Sequence, residues 1–157
     1  MELTHINENG EAVMVDVGEK DITRRTARAY AKVTMRQETL KKLLNAELKK
    51  GDGLASARIA GIMAAKRTWE LIPLCHNIPI EKISIEFYNN GIDELYIHSF
   101  AVCTYKTGIE MEALTAVSTA ALTVYDMCKA IDRGMVISDI HLIEKTGGKS
   151  GDYHHEG

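Results

Sequence analysis

TGIEMEALTAVSTAALTVYDMCKAIDR, residues 107–133, is the stretch whose reading decides the fold. It contains no proline and its only glycine stands at the start, so a long helix is predicted, opened by a capping box between Thr107 and Glu110. Set at about 100° per residue, Glu112, Thr115, Ser118, Thr119, Asp126, Lys129 and Arg133 fall within roughly 60° of one line, with Val117, Ala120, Ala121, Val124, Cys128 and Ile131 opposite. The polar stripe is narrow, interrupted by Leu122 and flanked by Leu114, Tyr125, Met127 and Ala130. Two readings follow. Asp126 and Lys129 form a surface i,i+3 ion pair worth about a few tenths of a kcal/mol, or they stand in a partly dry cleft where both pKa values move toward neutrality, as acid–base work requires. Spacing alone does not choose.

Working outward, 157 residues of which 45% are hydrophobic can bury one core, so a single domain over residues 1–157 is expected. A net charge of −3 advertises no nucleic-acid or membrane partner, so any anion site must be local. Cys75, Cys103 and Cys128 form no C-x-x-C pair, and the chain starts Met-Glu rather than with a basic and apolar leader. A reduced, cytoplasmic protein is the expectation. No apolar run reaches the roughly 20 residues of a membrane span.

Residues 1–24 read as a polar arm with one brief strand around Val13, Val15 and Val17, too poor in large apolar residues to fold alone. His5 is read there as a surface histidine. A strand is expected over residues 27–34, with Arg24, Arg25 and Arg28 at its start. Leu40, Leu43, Leu44 and Leu48 predict a helix over 36–50, with lysines at its end. After Gly51-Asp52-Gly53, with Asp52 as cap, a second helix is expected from Leu54 to about Leu71. Its small residues, Ala57, Ala60, Gly61, Ala64 and Ala65 among them, invite close approach by another backbone.

Pro73 and Pro79 exclude helix from PLCHNIP and make it a rigid loop. Cys75-His76 has too few companions for a zinc site. His76 is either a satisfied loop histidine or one held to touch a ligand. Strands over 82–88 and 94–104 are joined by Asn89-Asn90-Gly91, a hairpin signal, and a last strand is expected over 135–143. The tail, residues 145–157, is glycine-rich and fails the P-loop template. It is either a frayed terminus or a flexible flap whose N–H groups and lysines contact phosphate. The order, less one helix, is β-α-β-β-α-β: an α+β, ferredoxin-like antiparallel sheet with helices on one face, plus an extra helix and an N-terminal arm. The uncovered sheet face argues for a homo-oligomer.

LTHI, MVDV, KGDGLASARIAGIMAAKRTWELIPLCH, KTGIEMEALTAVSTAALTVYDMCKA and GGKSGD, in this order, resemble the MoaC family of cyclic pyranopterin monophosphate synthases. The resemblance covers nearly the whole chain. It implies a lyase of molybdenum cofactor biosynthesis that rearranges 3′,8-cyclo-7,8-dihydro-GTP into cyclic pyranopterin monophosphate and releases pyrophosphate. No redox cofactor is implied. Carried over by the matching motifs, Asp126 and Lys129 are the catalytic residues; Leu74, Cys75, His76, Met111 and Glu112 contact substrate; Arg25, Lys50, Lys145 and Lys149 hold the triphosphate. The resemblance also implies a homohexamer, a trimer of dimers with sites at dimer contacts. Asn77 departs from the proline that many members carry there.

Such chemistry suits these residues. Opening a guanine's five-membered ring and closing a pyrazine ring needs several proton transfers, and a carboxylate with an amine can shuttle them. Closing a cyclic phosphate expels pyrophosphate, whose charge must be neutralised by the lysines and Arg25 or by Mg2+ carried with the triphosphate. Glu112 and Asp126 stand about 21 Å apart along a helix, too far to touch one reacting atom. One of them is therefore expected to serve a neighbouring subunit's site. Two rivals come from other classes. A nucleotide-sensing ferredoxin-like module would bind without releasing pyrophosphate; a nucleic-acid binder lacks the aromatic stacking platform.

Overall fold

Ala27, Ala29, Ala31 and Val33 are fully buried and alternate with Arg28, Tyr30, Lys32 and Thr34. This period of two gives β1 (Thr23–Thr34) a core face and an outer face. The computed structural model describes residues 3–157. After β1 come α1 (Gln37–Leu44), α2 (Gly53–Lys66), the short α3 (Thr68–Leu71), β2 (Ile80–Asn89), β3 (Glu94–Tyr105), α4 (Glu110–Cys128), β4 (Val136–Thr146) and β5 (Tyr153–His154). The strands form one sheet ordered β2-β3-β1-β4-β5, every neighbouring pair antiparallel. This is the ferredoxin-like α+β plan with a short fifth strand added at one edge.

Small residues on both sides set how closely α4 lies on the sheet. Ala113, Ala116, Val117, Ala120, Ala121 and Val124 are fully buried on its inner face, and the Ser99 hydroxyl on β3 donates to the Ala113 carbonyl at 2.8 Å. α2 lies beside α4 and against β2. At Gly61 a methyl group would meet the Ala116 carbonyl oxygen at 2.7 Å, so only glycine lets the two helices approach this far. The small-residue helix therefore does pack against a neighbouring backbone.

The outer sheet face carries no helix. Tyr30 stands at its centre, with the rings of Tyr96, His98 and His141 at centroid distances of 6.3, 5.3 and 5.2 Å. Arg28 lies 4.1 Å over the Phe100 ring. No helix among the described residues is long and apolar enough to cross a membrane.

Several boundaries differ from those expected. The first helix ends at Leu44 rather than Lys50, because Ala46 takes a positive φ of 55° and buries Leu48 in a turn bridged to Gly51. Lys49 and Lys50 stand in that turn. The second helix breaks at Arg67, where the Thr68 hydroxyl bonds back to the Ala64 and Ala65 carbonyls at 3.2 and 2.9 Å. The capping box of the central helix does not form: Ile109 is its cap residue, with no side-chain cap, and Glu110 turns instead to Lys145. β1 begins at Thr23, which places Arg24, Arg25 and Arg28 inside the strand. The arm has no strand around Val15 but a single bridge between Ile6 and Ala12. Lys145 and Thr146 belong to β4, and the tail returns as β5.

Candidate active site

One cluster sits at the C-terminal end of α4. Asp126 accepts from Lys129 Nζ at 3.0 Å through one carboxylate oxygen and from Lys50 Nζ at 3.0 Å through the other. Lys50 reaches it because Asp132, buried just past α4, ties down the start of α1. Its carboxylate accepts from the Arg36 N–H and the Thr39 hydroxyl, both at 2.9 Å. α1 then leads directly into the turn that carries Lys50. The three charged groups line a cavity of about 260 Å³ with Leu48, Met127 and Ile131. Its rim is open, with about half of each charged side chain exposed. Of the two readings that spacing left open, the exposed i,i+3 ion pair is the one that forms, and burial does not move Asp126 toward neutrality. Hydrogen bonds from Lys129 and then Lys50, with their charges, hold the carboxyl below its ordinary range. Asp126 is thus a fixed anion that aims two ammonium groups.

A second cluster sits at the other end of α4. The loop between α3 and β2 lays Leu74, Cys75 and His76 against Met111 and Glu112, around a cavity of about 130 Å³. The wheel reading placed Glu112 on the polar stripe, yet it is only 3% exposed. A helical wheel sees one helix, and here a loop closes over it. Burial pushes the Glu112 carboxyl up to about 7, its own backbone N–H opposing and the Glu110 carboxylate reinforcing the rise. Burial likewise raises the Cys75 thiol, which keeps it protonated, with Glu112 and Glu110 adding to the effect.

The third cluster is an anion pocket beside the second, about 410 Å³ in volume, lined by three cations, Lys20, Arg25 and Lys149, with one carboxylate, Asp21, and by Thr23, Gly148 and Ser150. Arg25 is 7% exposed, and its Nε donates to the Tyr105 carbonyl at 3.1 Å. Gly147 and Gly148 both take positive φ, 91° and 87°, and at Gly148 a side chain would strike the Arg25 guanidinium. The Thr23 hydroxyl is buried at this pocket without a hydrogen-bond partner. Lys145 joins the second and third clusters through its 2.9 Å pair with Glu110.

The structure therefore brings Leu74, Cys75, His76, Met111 and Glu112 together, with Arg25, Lys145 and Lys149 alongside. It gathers Lys50, Asp126 and Lys129 separately, about 21 Å away along α4. Sequence reasoning missed Glu110, which the capping-box pattern had claimed, and Lys20 and Thr23, for which no spacing gives a signal; His5, inside the LTHI segment, reads from sequence only as a surface histidine.

Fold and site define an α+β protein with a lysine–carboxylate cluster at one end of a central helix and an anion pocket at the other. The chain belongs to the MoaC family, whose model matches residues 14–148. It is 59% identical over 156 residues to the cyclic pyranopterin monophosphate synthase of Peptoclostridium acidaminophilum, covering 99% of each chain. Those of Brevibacillus brevis and Clostridium acetobutylicum are 54% and 56% identical, covering 98% of this chain and 96% of each relative.

Proposed function

We propose that this chain converts 3′,8-cyclo-7,8-dihydro-GTP into cyclic pyranopterin monophosphate and pyrophosphate, as a lyase of molybdenum cofactor biosynthesis. The observation that carries the reading is the division of the predicted site residues between the two ends of α4. A lysine–carboxylate cluster for proton transfer stands at one end, and an anion pocket with a substrate loop at the other.

Arg25, Lys145 and Lys149 take the triphosphate, whose pyrophosphate leaves as a ribose oxygen bonds to the α-phosphorus and the bond from that phosphorus to the β-bridging oxygen breaks. Their positive charge meets the charge that develops on the leaving group. Lys50 extends that neutralisation from the other cluster. Mg2+ enters only as the triphosphate's own counter-ion. Leu74, Cys75, His76, Met111 and Glu112 hold the base, and Glu112, poised near neutral pH, can give or take a proton there. Lys129 is the general acid or base of the ring rearrangement, and Asp126 holds and tunes its ammonium group.

The 21 Å between the two ends is bridged by a second copy, so that one subunit's Glu112 end meets another's Asp126 end. We propose that this happens in a cytoplasmic homohexamer, a trimer of dimers with sites at the dimer contacts. Within it each chain acts as one domain, residues 1–157, with residues 1–24 as its arm and 145–157 as its tail.

The test is pyrophosphate release and pterin formation from the enzymatically prepared cyclo-nucleotide, with wild type beside Asp126→Ala and Lys129→Ala. Product from wild type is expected, with both variants folded and slowed roughly 10²–10⁴-fold. A Lys129→Ala variant with near wild-type turnover would refute the acid–base role.

A further inference from the structure

The second cluster has a wall supplied by the N-terminal LTHI segment. His5 lines the same cavity as Cys75, His76 and Glu112, carried there by the N-terminal arm. A small hairpin holds it: Ile6 bridges to Ala12, the Val13 N–H donates to the His5 carbonyl at 2.8 Å, and the Asn7 side chain accepts from the Glu11 N–H at 2.9 Å.

Two carbonyls of this arm fix two histidines. His5 Nδ1 lies 3.3 Å from the Val13 carbonyl, and His76 Nε2 lies 2.7 Å from the Val15 carbonyl. A carbonyl only accepts, so the nitrogen facing it must carry the hydrogen in each neutral ring. The opposite nitrogen, Nε2 of His5 and Nδ1 of His76, is then left with a free lone pair. Glu112 supplies the complementary group. Its carboxyl is buried at the cavity, and among the described residues no other side chain hydrogen-bonds it.

We propose that the arm is a working wall of the substrate pocket, in which His5 offers its Nε2 as a hydrogen-bond acceptor to the N–H edge of the bound heterocycle, across from Glu112. The ligand class is a planar base with N–H donors along one edge. The proposal rests on the reading of this cavity as the substrate's, and adds to it a residue that reaches substrate from outside the folded core. It accounts for the hydrogen bond from His76 that, beside the buried Val17, ties a largely exposed polar arm to the substrate loop. His5 is itself exposed, so replacing it removes no core packing.

The experiment compares His5→Phe, which keeps a ring without the acceptor, with His5→Gln, which retains one, in the full-length enzyme. Turnover of the cyclo-nucleotide and melting temperature are measured for both. For His5→Phe, kcat/KM falls about tenfold or more with melting unchanged, and His5→Gln recovers a substantial part of it. A second readout is 15N NMR of labelled histidines in a Lys129→Ala background, which slows turnover. His5 shows the Nδ1–H tautomer, and its Nε2 resonance moves when the cyclo-nucleotide is added. A His5→Phe enzyme within about twofold of wild type overturns the inference while leaving the function intact. A wild-type chain that neither binds nor turns over the cyclo-nucleotide overturns the functional reading, and this inference with it.

Discussion

Replacing Glu112 with glutamine isolates the cost of a buried carboxylate. Glu112 is 3% exposed, and its carboxyl is pushed up to about 7 from an ordinary value of 4.5. The unfolded chain, with its lower pKa, loses this proton first as pH rises. Stability associated with the protonated group is therefore complete below about pH 4.5 and declines through about pH 7. A difference of about 2.5 units corresponds to roughly 3 kcal/mol, against about 1 kcal/mol already lost at pH 5. Glutamine keeps the shape and cannot ionise, so in Glu112→Gln this pH dependence disappears. Urea unfolding of both proteins at one fixed protein concentration, at pH 4, 6 and 8.5, measures it, since every other titrating group cancels in the difference. The variant should gain on wild type by about 3 kcal/mol between the lowest and highest pH. A constant gap across that range would refute the argument that burial sets the Glu112 titration. The same substitution removes a proton donor and acceptor from the substrate loop, so activity should fall while stability at high pH rises, a trade common at functional sites.

Other outcomes follow from the packing. Asp132 is 6% exposed; burial acts to raise its carboxyl, but hydrogen bonds from the Arg36 N–H, Thr39 hydroxyl and Gly134 N–H outweigh it and hold it below the ordinary range. Asp132→Ala leaves these donors unmet and should cost about 2–4 kcal/mol by urea unfolding at pH 7; wild type itself should lose stability as pH falls below about 4, through the depressed pKa. Gly61→Ala places a methyl group 2.7 Å from the Ala116 carbonyl oxygen. The helix-propensity gain of about 1 kcal/mol should be overridden by strain, giving a net loss of about 1–2 kcal/mol and a lower melting temperature, whereas stabilisation would refute the close-approach argument.

Much of the fold was legible because its signals are local. The strand character of residues 27–34, the Asn89-Asn90-Gly91 hairpin, the prolines around Leu74-Cys75-His76 and the Asp52 cap each act within a few residues, and each falls in the kind of element expected. Errors arose where a distant partner competed. Glu110 left its capping box for Lys145, and Leu48 left its helix register for burial in a turn. The Asp126–Lys129 pair was legible from i,i+3 spacing, but its electrostatic state was not. A wheel shows neither the arrival of Lys50 from a turn 76 residues away nor the openness of the rim.

Chain order and residue type by themselves determined the sheet, the central helix and the identity of the charged groups that resemble a synthase's. Only the tertiary structure decided which of those groups meet. Glu112 is covered by a loop and Arg25 by a glycine turn, while Asp126 stays in solvent between two ammonium groups. The physical reason is that hydrophobic periodicity is written into neighbouring residues, whereas desolvation and Coulomb fields depend on whatever the fold brings within a few ångströms.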